Sequence, residues 1–375
     1  MIQNPIYILT ILCGLIFISE WLTKYTFLKH ISGPLLVIIL GAVFANLGLI
    51  PSASNASPVY DAIFKYVAPA SIFYLLLGVN LSQLKKAGLP MLVAFLIGSA
   101  GTMIGVCVAI QLIDGAEVFG SNYAAIAGMM TGTYTGGSAN FNAIALHFEV
   151  FREGAIYTGI VVADNIVTAI WMLVTLSLPV VLNKWRAHPV LKIAGQRFQG
   201  NQEEESISPM SFGLMLFIGI CSMFVSDYIS DLTAIPSVLL LTTMALVLAQ
   251  LRWVQKIPGA KMLGMFSVYL FLVVVGAFCE ITALVEVGEY AFDILLFTVV
   301  IVLVHGLFLI LMGAVLKTDW AIIAIASQAN IGGASTAMAL AKSFKRNDLL
   351  LPAILAGSLG TGLGTYLGFL VAGML

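Results

Sequence analysis

Ten stretches of this chain are apolar enough and long enough to cross, or nearly cross, a lipid bilayer, five in each half. A helix rises 1.5 Å per residue, so a hydrocarbon core about 30 Å thick needs about 20 apolar residues per crossing. That requirement removes nearly every fold open to a water-soluble chain. Only 9% of the 375 residues are charged, against about 25% in soluble domains, and no polar block is long enough to form a soluble domain. The expectation is therefore an all-α polytopic membrane protein, with a cytosolic enzyme excluded. A formal net charge of −1 leaves no basic surface for nucleic acid. Cys13, Cys107, Cys221 and Cys279 sit in apolar text without metal-like spacing and read as packing residues. The opening MIQNPIYILTILCGLIF has no positive leader and reads as a retained first helix.

Apolar runs fall near residues 5–22, 32–49, 66–84, 89–112, 122–150 and 154–183. After a polar stretch from Lys184 to Ser208 come 209–226, 235–251, 262–284, 290–316, 319–343 and 348–374. The fifth run of each half is rich in Gly, Ser, Thr and Asn. At a shift of 196, Ala125, Ile126, Gly136, Gly137, Ala143, Ala145 and Phe148 match Ala321, Ile322, Gly332, Gly333, Ala339, Ala341 and Phe344. The pattern reads as an internal repeat, 1–183 and 209–375, joined by a cytoplasmic linker over 184–208.

Charge decides how the fifth runs sit. If both crossed, the basic linker residues Lys184, Arg186, Lys192 and Arg197 would face outward, against the positive-inside bias. If each run enters and leaves on one side as a re-entrant hairpin, over 122–150 and 319–343, the linker returns inside. So do Lys24, Lys29, Lys85, Lys86, Arg252, Lys256, Lys261, Lys317, Lys342, Lys345 and Arg346, while Lys65 and Arg152 stay outside. The loop acids Asp114, Glu117, Glu149, Glu153, Asp227, Asp231, Glu286 and Glu289 then fall outside as well. Five full crossings per half invert the second repeat relative to the first and put both termini outside. Inverted repeats with broken helices are the architecture of secondary transporters, whose unwound backbone lines a midplane cavity.

The hairpin tips read TGTYTGGSAN over 131–140 and SQANIGGAST over 327–336. Glycine permits a tight reversal and close approach of a ligand to backbone; Ser138, and Ser335 or Thr336, are placed to cap the returning arms. Those arms start at the tips, offering N–H groups and a positive dipole end to a carboxylate. The entering arms end there and offer carbonyls to a cation. The candidate substrate-binding residues are Thr133, Thr135, Gly136, Gly137, Ser138, Asn140, Asn330, Gly332, Gly333, Ser335 and Thr336. Close helix packing is the alternative use of such small residues.

On the sixth runs, Thr158, Asn165 and Thr168 share a helical face beside Asp164, and Ser358, Thr361 and Thr365 form the corresponding face in the second half. An ionisable residue at that depth marks a functional site by default. Asp164, Asn165, Thr168, Ser358 and Thr361 are the candidate ion-coupling set, with Asp164 a sodium ligand or a proton carrier; a structural Asp bonded to a neighbouring helix is the competing reading. His305 and His147 read as packing residues more than relays. Glu20 and Glu280 lie near span ends within reach of headgroups, and Asn80 and Gln83 close the third span.

With the GGSAN and NIGGAST tips and the closing ILAGSLGTGLGTYLG of residues 354–368, the chain resembles, over essentially its whole length, the YjcL-like membrane proteins grouped as domain of unknown function 819. The resemblance implies a bacterial or plastid membrane protein of unnamed substrate. More distantly, the hairpins look like those of the sodium-coupled glutamate and citrate carriers. By that likeness Gly136, Gly137, Gly332 and Gly333 are hairpin vertices in a homodimer with a scaffold part and a moving part. Those carriers' motif continues to another glycine where Ala139 and Ser335 stand here, so the substrate does not carry over.

The function expected is a secondary active transporter of the bacterial inner membrane, using sodium or protons and no other cofactor. It would move a small anionic or zwitterionic solute such as an amino acid, small peptide or organic acid, by an elevator-like mechanism. A channel or non-transporting sensor is the alternative, but no ring of like residues or soluble signalling domain is evident. An intramembrane enzyme has less behind it. HExxH and paired aspartates are absent, and Ser138 and His147 lie about 13 Å apart along one helix. An ATP-driven pump lacks the GxxxxGK loop.

Overall fold

The computed structural model describes residues 3–26, 33–79, 81–185, 188–190, 208–233, 235–280, 288 and 290–375. Asn80, Lys29, Arg186, Lys192, Arg197, Glu286, Glu289, the Gln83 side chain and most of the 184–208 linker lie outside the described residues. Among the described residues there is no strand, and eight helices are long and apolar enough to cross a membrane. This is a multi-pass α-helical membrane protein.

The first half comprises α1 Pro5–Tyr25, α2 Gly33–Asn46, α3 Pro58–Leu76, α4 Leu89–Leu112, α5 Tyr123–Gly136, α6 Ser138–His147 and α7 Gly154–Trp185. The second comprises α8 Pro209–Thr233, α9 Ser237–Leu248, α10 Ala260–Ala277, α11 Ala291–Leu316, α12 Trp320–Ile331, α13 Gly333–Ser343 and α14 Leu350–Met374. Helix starts follow local chemistry. The Asn4 side chain accepts from the N–H groups of Ile6 and Tyr7 ahead of Pro5, and Ser57 accepts from the Val59 N–H ahead of Pro58. Each cap satisfies donors that the first helical turn cannot. The Ser57 cap sets α3 a little over two turns earlier than hydropathy alone places it. Asp61 and Lys65 lie exposed on its first turns, a polar start that an apolar-run reading discards.

The two halves repeat their order of helix lengths, and each divides at the same place. The fourth to seventh helices of both halves pack together: α5 lies along α14, α4 along α11, α12 against α4 and α7, and α13 on α14. The first three form a second group, with α10 against α2 and α3, and α9 against α8 and α3. Backbones approach closely in both groups because glycines face carbonyls. A side chain on Gly128, Gly136, Gly360, Gly364 or Gly368 would run into the facing backbone of the α5–α14 pair. Gly41 and Gly276 do the same between α2 and α10, against Val273 O and Ile38 O. Where lipid is as apolar as any side chain, such contact is a main source of helix association.

Candidate functional site

Each fifth segment is two helices joined at a glycine. Gly137 has φ +90° and ψ −178°, a region effectively closed to other residues, and Gly333 has φ +79°. With 14 and 10 residues, α5 and α6 are each too short to cross a bilayer. Their outer ends are tied by the Asn122 amide donating to Glu153 Oε1 at 2.5 Å. The corresponding tie on α12 and α13 is ionic. Arg346 Nη1 lies 2.8 Å from Asp319 Oδ2 while Asp319 Oδ1 caps Ala321 N. Arg346 also makes a bidentate pair with Asp348 at 2.8 and 2.7 Å. These carboxylates, Asp348 first, hold the guanidinium still further above its ordinary range.

The expected serine and threonine caps are absent. Gly137 and Gly332 occupy the cap positions with no side-chain bond, because the chain reverses within the glycine pair and leaves Ser138, Ser335 and Thr336 inside the following helices. Thr336 Oγ1 donates instead to Gly333 O at 3.0 Å and Gln328 O at 3.4 Å, and Ser335 is exposed.

Below the first tip is a cavity of about 210 Å³ lined by Pro34, Ile38, Thr133, Ser138, Phe141, Asn142, Tyr157, Val161, Asp164, Asn165, Val268 and Leu272. One wall, from the hairpin and α7, is largely polar. The other, from α2 and α10, is wholly apolar. Thr168 Oγ1 donates to Asp164 Oδ1 at 3.1 Å, and Asn165 Nδ2 donates to Val161 O at 2.7 Å. The Tyr157 hydroxyl donates to Asn142 Oδ1 at 2.5 Å, and the Asn142 amide nitrogen has no bond among the described residues. Thr133 and Asn142 are each 5% exposed, so their free polar atoms are confined to the cavity. The fully buried Tyr134 hydroxyl is within electrostatic reach of Asp164 but completes no hydrogen bond of good geometry. Among the described residues, Asp164 is the one charged residue lining this cavity.

The structure thus gathers Thr133, Ser138, Asp164 and Asn165 at one place, with Thr168 directly behind. Asn142 and Tyr157 belong with them and were not singled out from sequence. Their signal was available: Tyr157, Val161, Asp164, Asn165 and Thr168 repeat with helical periodicity on α7. The other candidates lie elsewhere. Asn140 Oδ1 accepts from Thr365 N at 3.0 Å and Thr365 Oγ1 at 2.6 Å, binding hairpin to α14. Gly136 packs on Gly360, and the buried Thr135 hydroxyl has no partner. Thr361 Oγ1 donates to Gly357 O at 3.0 Å, and Ser358 is half-buried on the same helix.

At the second tip Asn330 is bonded to α4. Asn330 Oδ1 accepts from Ser99 Oγ at 2.8 Å and its amide donates to Phe95 O and Ala326 O. Fully buried His305 places Nδ1 2.9 Å from Gly98 O and Nε2 2.9 Å from Ser327 Oγ. A carbonyl only accepts, so Nδ1 carries the hydrogen and Nε2 accepts from Ser327, whose oxygen accepts Trp171 Nε1–H at 2.9 Å. Thr102 Oγ1, 3.0 Å from Nδ1, donates to Tyr134 O at the first tip. This circuit joins both hairpins through α4, α7 and α11.

The chain matches the profile of a family described as "Protein of unknown function (DUF819)" over residues 7–375. It belongs to that family. A relative, the "Uncharacterized membrane protein YjcL" of Bacillus subtilis (strain 168), is 29% identical over 369 residues, covering 92% of this chain and 90% of the relative.

Proposed function

We propose that this DUF819 protein is a secondary active transporter, a carrier and not an enzyme, that moves a small anionic or zwitterionic solute with sodium or protons across the cell membrane. The observation that carries the reading is the cavity of about 210 Å³ in which a polar wall carrying the Asp164 carboxylate faces an apolar wall. The polar wall belongs to the helix group α4–α7 and α11–α14, the apolar wall to α1–α3 and α8–α10. A solute held at such a seam travels when one group slides on the other, and a flat aliphatic wall without hydrogen bonds offers little resistance to sliding. On this reading the two halves, 1–183 and 209–375, are inverted repeats. The α5–α6 and α12–α13 pairs are re-entrant hairpins from opposite faces, and Asp164, with Thr168 and Asn165, couples ion to solute. The polar ties at the hairpin bases support this, since each brings both ends of a pair to one level. A homodimer through the α1–α3 and α8–α10 group would anchor the sliding part.

The test is cysteine accessibility in a background freed of Cys13, Cys107, Cys221 and Cys279, combined with uptake into proteoliposomes. Position 152 should label from outside and 345 from inside, and Asp164→Asn should abolish ion-driven uptake while the protein still expresses and labels normally. Labelling from the reverse side at either position, or undiminished coupling in Asp164→Asn, would refute the proposal.

A further inference from the structure

We propose that the cavity under the first hairpin selects a neutral aliphatic α-amino acid as a zwitterion, Asp164 taking the ammonium group and the start of α6 taking the carboxylate. The inference rests on the transport reading and names its substrate class. Three observations lead to it. Charge is the first: among the described residues, the lining includes one carboxylate and no Lys, Arg or His. A plain organic anion fits beside Asp164 only when the coupling ion neutralises that carboxylate, whereas an ammonium group is itself complementary to it.

The second is the helix start. Ser138 lines the cavity and opens the ten-residue α6, which no side chain caps, so its first N–H groups are open to a carboxylate oxygen. Thr133 and Asn142 strengthen the case independently. Each is 95% buried, and the Thr133 hydroxyl and the Asn142 amide nitrogen have no hydrogen bond within the described residues. Both line the same space as Ser138, so their donors are free to bond whatever occupies it. They supply the further donors that a bound carboxylate requires.

The third is the opposite wall. Ile38, Val268 and Leu272, with Phe141 beside the tip, present only hydrocarbon. A volume of about 210 Å³ is that of roughly seven waters at about 30 Å³ each, which suits an amino acid with a side chain from alanine to leucine. A polar side chain would lose its water against that wall and gain no partner.

The experiment uses the full chain in detergent and compares three probes of shared skeleton: L-valine, 3-methylbutanoate, which lacks the ammonium, and isobutylamine, which lacks the carboxylate. Thermal stability is recorded against probe concentration in sodium and in choline buffer, since a ligand of the native state raises the transition. Valine should stabilise at concentrations at least about tenfold below either fragment. Asp164→Asn should weaken valine about tenfold or more, and so should the near-isosteric Thr133→Val, which leaves the helix packing unchanged. Equal stabilisation by 3-methylbutanoate would overturn the proposal, as would a response to sodium with none to valine. The labelling of positions 152 and 345 keeps the two readings apart. Correct labelling with uptake of a solute other than such an amino acid overturns only the substrate class, whereas reversed labelling removes the transport reading itself.

Discussion

Gly136 and Gly137 are neighbours that the structure needs for opposite reasons, and replacing each by alanine separates them. At Gly137 nothing lies within 4 Å of an added methyl group, but φ is +90°. The cost of Gly137→Ala is therefore backbone strain alone, about 1–3 kcal/mol. At Gly136 the backbone is helical, yet the methyl would collide with Gly360 O and with the Asn140 amide nitrogen. Forcing it in costs about 1–3 kcal/mol of overpacking. Displacing Asn140 also removes its bonds to Thr365 N and Oγ1, worth about 0.6–1.7 kcal/mol between membrane helices. Gly136→Ala should thus lose roughly 2–5 kcal/mol and open the α5–α14 seam. Equilibrium unfolding in mixed micelles gives both values. A cysteine pair across α5 and α14, cross-linked before and after substitution, reports the seam. Gly136→Ala with wild-type stability and unchanged cross-linking would refute the argument, because it would mean that the two helices are not in backbone contact.

Two further outcomes follow from polar contacts away from the cavity. Glu280 accepts from Ser54 N and Ser54 Oγ, both at 2.8 Å, and the Ser52 hydroxyl first, then these two bonds, hold its carboxyl below the ordinary value of 4.5. A carboxylate depressed in the folded state stabilises above its unfolded value and loses that contribution as pH falls through the folded one. The stability gap between wild type and Glu280→Gln should accordingly be constant near neutrality and shrink in the acid range below 4.5; a gap independent of pH would show that Glu280 is not clamped. His305→Leu should lower stability by about 1–3 kcal/mol, since Ser327 and Gly98 O lose a buried partner. Chemical unfolding measures it, and an unchanged midpoint would place the circuit outside the folded core.

The part of the site legible in sequence was its chemistry, and the part that was not was its partners. The glycine pairs, the tip hydroxyls and Asp164 stood out because Gly, Thr and Asp are conspicuous in apolar text. His305 and Glu280 did not, as one histidine in a hydrophobic run and one acid at a span end look the same whether packed, wet or bonded. His305 is defined by Gly98 and Ser327, and Glu280 by Ser54 some 226 residues away. The caps assigned to Ser138 and to Ser335 or Thr336 failed for a smaller reason: the reversal sits one or more residues earlier, in the glycines themselves.

Sequence alone determined that the chain is a polytopic helical membrane protein and that each half carries one segment broken at a glycine pair. Both follow from local rules, the length of helix a bilayer demands and the backbone angles that only glycine tolerates. Tertiary structure decided which polar groups share a cavity, which face carbonyls across a helix seam and which wall opposes them. Those assignments depend on how helices far apart in the chain dock and rotate about their axes. With lipid as apolar as the side chains, docking is set by shape and hydrogen bonds, which hydropathy does not encode.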